Sequence, residues 1–143
     1  MLQSKKIRLG WIKILYFYTI IGAGGVGLLI LLAPQFYLQQ FAIPSADPYF
    51  LGTAGSVFLA FGVVSAIGLR SPLSFTPIFL VQMPYKIAWF AFVFFPQWTQ
   101  PSIPVYAWMM AAVFFSYIVL DFIAIPFQWI FSTKKPVSDQ MSK

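Results

Sequence analysis

The sequence contains no cysteine and no histidine, and its three acidic residues are all aspartates. Thiolate and imidazole are the usual protein ligands of zinc, haem and iron–sulfur centres, and three aspartates make a poor metal cage. The absence of both residue types also excludes disulfides and nucleophilic catalysis of the Ser-His-Asp or Cys-His kind. We therefore expect no metal and no cofactor, assign no catalytic residue, and expect a protein that is not an enzyme.

Charge is also scarce. Only 8% of the residues are charged, against about 25% in an ordinary soluble domain, while 60% are hydrophobic and the mean hydropathy is +0.82. Four segments are long and apolar enough for a helix to cross a hydrocarbon core about 30 Å thick, and chain that faces lipid must satisfy its backbone groups within a helix. These segments are approximately 14–33, 50–69, 77–95 and 105–131.

The sequence therefore predicts an all-α polytopic membrane protein whose four transmembrane helices form an antiparallel bundle. We expect one membrane domain, 1–143, with short tails at 1–13 and 132–143. The first apolar segment is longer than the roughly 7–15 residues of a secretory signal core, so we expect it to be retained as a helix.

Lysine and arginine are confined to one side of this predicted bundle. If the chain crosses the membrane four times, every lysine and arginine outside the apolar segments lies on the same side as the two termini. The connections 34–49 and 96–104, on the other side, contain no lysine or arginine. The positive-inside rule then predicts that both termini are cytoplasmic. The basic residues behind the net charge of +6 set the topology and are attracted to anionic lipid headgroups. We therefore expect no nucleic acid partner. The residues concerned are Lys5, Lys6, Arg8, Lys13, Arg70, Lys134, Lys135 and Lys143.

Small residues are concentrated in the first two predicted helices. The first contains Gly22-Ala23-Gly24-Gly25-Val26-Gly27, and the second has glycine, alanine or serine at nine positions between Gly52 and Gly68. Helices in lipid associate where small residues let their backbones approach, so these two should pack closely. The connection 34–44 that follows the first helix fits either a short interfacial helix or a loop with aromatic anchors.

Two residues with strong charge preferences lie inside the apolar segments, Lys86 in the third and Asp121 in the fourth. At about 1.5 Å per residue, each is roughly 15 Å from the end of its helix on the side of the chain termini. That end is taken as Pro77 in the third helix and Phe131 in the fourth. A lone charge at the bilayer centre costs at least about 2.5–3.5 kcal/mol. We therefore predict an intramembrane ion pair between Lys86 and Asp121.

Polar neighbours extend this candidate site. Gln82 is one turn before Lys86, and Tyr85 is adjacent to it, while Tyr117 and Gln128 lie one turn before and two turns after Asp121.

Two prolines flank the same pair, Pro84 in the third segment and Pro126 in the fourth. Each should bend its helix and free a backbone carbonyl. Whether the resulting polar junction is purely structural or also functional remains open from the sequence.

The layout resembles that of the DoxX-like small membrane proteins. The resemblance rests on Ala33-Pro34-Gln35-Phe36 after helix one, on Leu51-Gly52-Thr53-Ala54-Gly55 in helix two and on the basic turn Leu69-Arg70-Ser71-Pro72, and it covers the first half of the chain. Many such proteins carry charged residues at the start of helix two, which this chain lacks. The resemblance implies a bacterial inner-membrane protein, in some cases linked to oxidoreductase complexes, and assigns no functional residue.

Three functions are compatible with the sequence. The first is a non-enzymatic accessory or partner subunit with a structural ion pair, whose partners are the lipid bilayer and other membrane proteins or a second copy of the chain. The second is a small oligomeric transporter or proton-coupled carrier that uses Lys86 and Asp121. The third is a quinone- or oxidoreductase-associated subunit, with Tyr85, Trp89 and Phe90 as an apolar pocket and Lys86 as its polar group.

Overall fold

Four long helices make up most of the protein. The computed structural model describes residues 8–131, and for Gln128 and Trp129 it describes the backbone only. Within this range every regular element is a helix, and four helices are long and apolar enough to cross a membrane. In chain order the helices are α1 (Leu9–Leu32), α2 (Pro34–Gln40), α3 (Pro48–Gly68), α4 (Pro72–Gln97), α5 (Val105–Ala124) and α6 (Phe127–Ile130). The all-α fold with four transmembrane helices is confirmed.

Proline and aspartate set several helix boundaries. Pro48 and Pro72 open α3 and α4 at the first helical turn, where a missing backbone N–H costs nothing. The Asp47 carboxylate caps α3 by accepting hydrogen bonds from the backbone N–H groups of Tyr49 and Phe50, at 2.9 and 3.1 Å. Helix α3, the second membrane helix, therefore begins two residues before the apolar segment that predicts it, and α4, the third, begins five residues before its segment.

The fourth membrane helix is shorter than predicted. The sequence predicts one helix over 105–131, but α5 ends at Ala124 and the backbone of Ile125 is extended, with φ −71° and ψ 122°. A residue that precedes proline is pushed out of the helical conformation, and Pro126 follows. The prediction that Pro126 bends a helix is thus wrong, since it lies in the break between α5 and α6, whereas α4 continues through Pro84.

Helices α1 and α3 pack through their glycines. A Cβ atom built on Gly24 would lie 3.0 Å from the Cα of Gly62, and one built on Gly27 would meet the carbonyl oxygen of Gly55 at 2.6 Å. Such distances leave no room for a side chain, so the two backbones are in direct contact. The close packing that the small residues predict is present.

The connection after α1 forms a helix, which is one of the two alternatives that the sequence left open. Helix α2 ends in a Schellman motif, in which the N–H of Ile43 donates to the carbonyl of Leu38 at 2.9 Å and the N–H of Ala42 donates to that of Gln39 at 3.2 Å. Ala42 occupies the left-handed position with φ 51°, where glycine is usual. This cap satisfies two of the last backbone carbonyl groups of α2.

The two halves of the bundle differ in their packing. The half nearer to Leu9 and Ala124, which we call the terminal half, contains a buried apolar core. There the Tyr16 hydroxyl donates to the carbonyl of Pro72 at 2.8 Å, and its ring lies 4.6 Å from that of Phe79. The core is completed by Ile12, Leu15, Met83, Tyr117, Ala124 and Ile125. The opposite half is less filled, and it contains the candidate site.

Candidate functional site

Lys86 is the central residue of the site. It lies on α4 and is only 1% exposed. Its Nζ donates to the side-chain oxygen of Gln82, one turn earlier, at 3.1 Å, and lies 3.5 Å from the backbone carbonyl of the same residue. The nearest acceptors of the ammonium therefore both belong to Gln82, so the predicted neighbour of Lys86 is its hydrogen-bond partner.

Aromatic rings surround the same ammonium. The Nζ of Lys86 lies 4.5 Å from the ring centroid of Tyr85, 4.3 Å from that of Tyr117 and 5.9 Å from that of Phe114. The faces of aromatic rings attract cations, and this attraction is stronger away from water. These contacts across α4 and α5 help to keep a positive charge inside the bundle.

The predicted ion pair between Lys86 and Asp121 is not confirmed. Asp121 is fully buried, yet neither of its carboxylate oxygens accepts a hydrogen bond from any residue in the range 8–131. The depth comparison used Phe131 as the helix end, whereas α5 ends at Ala124, only three residues beyond Asp121. Lys86 consequently faces Tyr117, one turn before Asp121, although the two charges still act on each other through the interior.

Other buried polar groups near the bundle axis also lack partners. Within the described part of the chain, the side-chain nitrogen of Gln82 and the hydroxyl of Ser65 make no hydrogen bond, although both residues are almost completely buried. A buried polar group without a partner is costly. Together with Asp121, these groups give the interior an unused capacity for hydrogen bonds.

Tyr117 connects α5 to α1 beside the ammonium. Its hydroxyl donates to the backbone carbonyl of Tyr18 at 3.0 Å, and the hydroxyls of Tyr18 and Ser116 form a hydrogen bond of 2.7 Å. A Cβ on Gly22 would lie 2.5 Å from the Tyr117 hydroxyl, so the glycine makes room for this ring. Helix α5 packs against α1 through the stretch Leu9–Thr19.

Beyond this contact a cavity of about 330 Å³ lies between α1, α3, α4 and α5, with Lys86 and Tyr117 at its deep end and the end of α2 across its other end. The α5 residues that line it extend from Tyr106 to Tyr117, which is about 16 Å along the helix axis. Its walls are mostly apolar. The remaining lining residues are Tyr18, Gly22, Ala23, Val26, Tyr37, Phe41, Ile43, Phe58, Tyr85, Met109, Met110, Val113 and Phe114.

One flank of the cavity is open at the depth of the membrane. Met109 and Val113 line it and are 44% and 45% exposed, and they lie about one and two turns into the membrane-spanning helix α5, which begins at Val105. The opening on α5 therefore faces acyl chains rather than water.

Tyr37 lines the end of the cavity near α2, where partial burial raises the pKa of its hydroxyl above the usual value.

The structure brings together some of the predicted site residues and separates others. Lys86, Tyr85 and Tyr117 meet at the cavity, and Gln82 lies behind Lys86 as its acceptor. Asp121 is not part of the cavity wall. The side chain of Gln128 lies outside the described part of the structure, so its predicted role stays a prediction.

The aromatic pocket of Tyr85, Trp89 and Phe90 that a quinone-associated subunit would use is built from other residues in the structure. Neither Trp89 nor Phe90 lines the cavity, whereas Tyr18, Met110 and other residues of α1 and α5 do. These residues carry no sequence signal of a site, because aromatic and methionine side chains in an apolar helix are also typical of lipid-facing packing.

Comparison of the chain with protein-family models, with curated proteins and with solved structures gives no match. The function proposed below therefore rests on the geometry of the cavity and on its charged residue, Lys86.

Proposed function

We propose that this small integral membrane protein is a non-enzymatic binding module that holds a lipid-soluble molecule in the cavity above Lys86. The observation that carries the proposal is the position of the buried ammonium at the deep end of an apolar cavity of about 330 Å³. Ligand sites are usually apolar cavities of about 300–1,000 Å³ with a few polar groups that orient the ligand. The cavity has this size and this composition.

The cost of burying Lys86 supports a binding role. An ionisable side chain inside a membrane helix is expensive and usually faces the bundle interior, where it serves a ligand or a pathway. Here the described residues supply one good acceptor, on Gln82, and three aromatic rings. A ligand oxygen that reaches the ammonium would add an acceptor that the described residues do not provide.

The opening of the cavity supports a ligand that arrives from the bilayer. Met109 and Val113 are half exposed at membrane depth, so a molecule dissolved in lipid can reach the cavity without crossing water.

The distribution of Lys and Arg supports both termini being cytoplasmic. With the layout that resembles DoxX-like proteins, it supports a place in a bacterial inner membrane, as an accessory subunit beside other membrane proteins or further copies of the chain.

Identification of bound lipids tests the proposal. The full chain is purified in a mild detergent, and the organic extract is analysed by mass spectrometry. Val113→Trp places a large ring at the cavity rim, whereas Val119→Trp adds the same ring to the same helix at a position that is 41% exposed and outside the cavity. We expect a retained molecule in the native protein and in Val119→Trp, and its loss in Val113→Trp.

The same experiment separates the alternatives. Equal lipid content in the two tryptophan variants would contradict a ligand in the cavity. A quinone in the extract would favour the oxidoreductase-associated subunit, because a quinone ring can stack on the aromatic walls and accept a hydrogen bond from Lys86.

A further inference from the structure

We propose that the ligand of the cavity is a long-chain carboxylic acid, a fatty acid, whose carboxylate pairs with Lys86 while Asp121 takes up its proton. This inference rests on the proposed function, since it specifies the ligand that the cavity holds. It assigns to Asp121 a role that a purely structural charge would not have.

The polar groups of the cavity select an oxygen acceptor. Besides Lys86, the polar side chains that line it are tyrosines, and no carboxylate is among the lining residues. An ammonium donates hydrogen bonds and accepts none. A cationic headgroup would be repelled, whereas an oxyanion would make a charge-assisted hydrogen bond with Lys86.

The charge balance of the interior decides how the acid binds. The formal charges of Lys86 and Asp121 cancel, so a bare carboxylate would leave two negative charges beside one positive charge in a medium of low dielectric constant. The uncharged acid, the form that dissolves in lipid, brings its own proton. When its O–H bond breaks and an O–H bond forms on Asp121, the carboxylate stays with Lys86 and the net charge of the interior is unchanged.

Asp121 has the unpaired carboxylate oxygens that this exchange needs. It lies on the turn of α5 that follows Tyr117, away from the cavity wall, and both of its oxygens are buried and have no hydrogen-bond donor within residues 8–131. A proton can therefore bind there without breaking an existing contact. The titratable groups that face this interior are Lys86 and Tyr85 of α4, Tyr16 and Tyr18 of α1, and Tyr117 of α5 itself.

The shape of the cavity fits an alkyl chain. The cavity extends for about 16 Å along α5 from Lys86 towards α2, and its walls include Val26, Phe58 and Met110. Methionine is flexible and adapts to chains of different length. A single chain with its head at Lys86 can lie in this cavity and leave through the flank at Val113.

Oleic acid labelled with ¹³C at the carboxyl group is the probe. The full chain in lipid nanodiscs is titrated with it, and protein-free nanodiscs give the background. We expect a separate bound signal at the chemical shift of a carboxylate, weaker binding of methyl oleate, and no binding of oleylamine in the cavity. Lys86→Met should weaken oleate binding by about 10- to 100-fold, the effect of losing a hydrogen bond to a charged group.

The proton is followed separately. When aqueous oleate binds, one proton should be taken up, and the affinity should fall by about tenfold for each unit by which the pH is raised, over the range in which oleate in water and Asp121 in the free protein are both ionised. In Asp121→Asn the uptake and the pH dependence should disappear while binding persists. Because Lys86→Met alone leaves Asp121 without an opposite charge, the double variant Lys86→Met/Asp121→Asn serves as a second test, with circular dichroism as the check on folding.

The outcomes distinguish the inference from the proposed function. If methyl oleate binds as tightly as oleic acid and Lys86→Met changes nothing, the cavity binds lipids but the headgroup assignment is wrong. If Asp121→Asn keeps the native pH dependence, Asp121 is not the proton acceptor. If none of the three probes binds and the purified protein retains no lipid, the proposed function itself is refuted.

Discussion

The contact between α1 and α3 gives the most direct test of the packing. In the structure a Cβ atom on Gly62 would lie 2.5 Å from the Cα of Gly24 and 3.2 Å from its backbone nitrogen. Ordinary van der Waals contact begins at 3.4 Å, so Gly62→Ala must move the two backbones apart by about 0.9 Å. Neither neighbouring atom belongs to a side chain that could turn away.

The expected change in the free energy of unfolding for Gly62→Ala is the sum of two opposing contributions. Overpacking of a close contact costs typically about 1–3 kcal/mol, whereas alanine favours a helix over glycine by about 0.8–1 kcal/mol. Gly52 lies in the same helix, and a Cβ there would meet nothing within 4 Å. Gly52→Ala therefore receives only the gain in helix propensity, and the difference between the two variants isolates the steric cost.

The assay is unfolding in mixed micelles as the fraction of SDS increases, followed by circular dichroism. We expect Gly62→Ala to be less stable than Gly52→Ala by about 1–3 kcal/mol in the free energy of unfolding. Equal stabilities, within about 0.5 kcal/mol, would show that the backbones are not in contact and would refute the reasoning.

Three further predictions use the same measurement. Ala42→Gly should raise the free energy of unfolding by about 0.5–1 kcal/mol, because glycine adopts the left-handed backbone of Ala42 without strain; no gain would contradict the Schellman cap. Tyr16→Phe should lower it by about 0.5–1.5 kcal/mol through loss of the hydrogen bond to Pro72, and an unchanged value would place that bond in doubt. Lys86→Met should be more destabilising than Lys86→Met with Asp121→Leu, and additive effects would show that the two charges do not interact.

Much of the fold can be predicted from the sequence, because few backbone structures can cross a bilayer. An apolar segment of about 20 residues must be a helix, and glycines in two such segments bring them together. Gly24 and Gly62 therefore meet as their sequence context predicts. Helix ends are harder to predict, since polar caps and prolines compete with hydropathy in setting them.

The candidate site is only partly predictable for the same reason. The sequence places Lys86 inside the bundle with Gln82 beside it, and the structure agrees. Tyr117, which the sequence places beside Asp121, lies against Lys86 instead. The pairing of Lys86 with Asp121 depended on whether Pro126 bends a helix or ends one, which the sequence does not decide. The cavity is not predictable from the sequence, because it depends on how α1 and α5 diverge beyond Tyr18, and no local pattern encodes that divergence.

The position of the cavity bears on the choice between a binding module and a transporter. Between Lys86 and the terminal side of the bundle lie Ile12, Leu15, Tyr16 and Phe79, each of them 0% exposed. A transported molecule would have to displace this core, which is also held by the hydrogen bond from the Tyr16 hydroxyl. A close-packed core resists such displacement. A ligand that enters from the bilayer and leaves by the same flank needs none of this movement, so the geometry favours binding over passage through the protein.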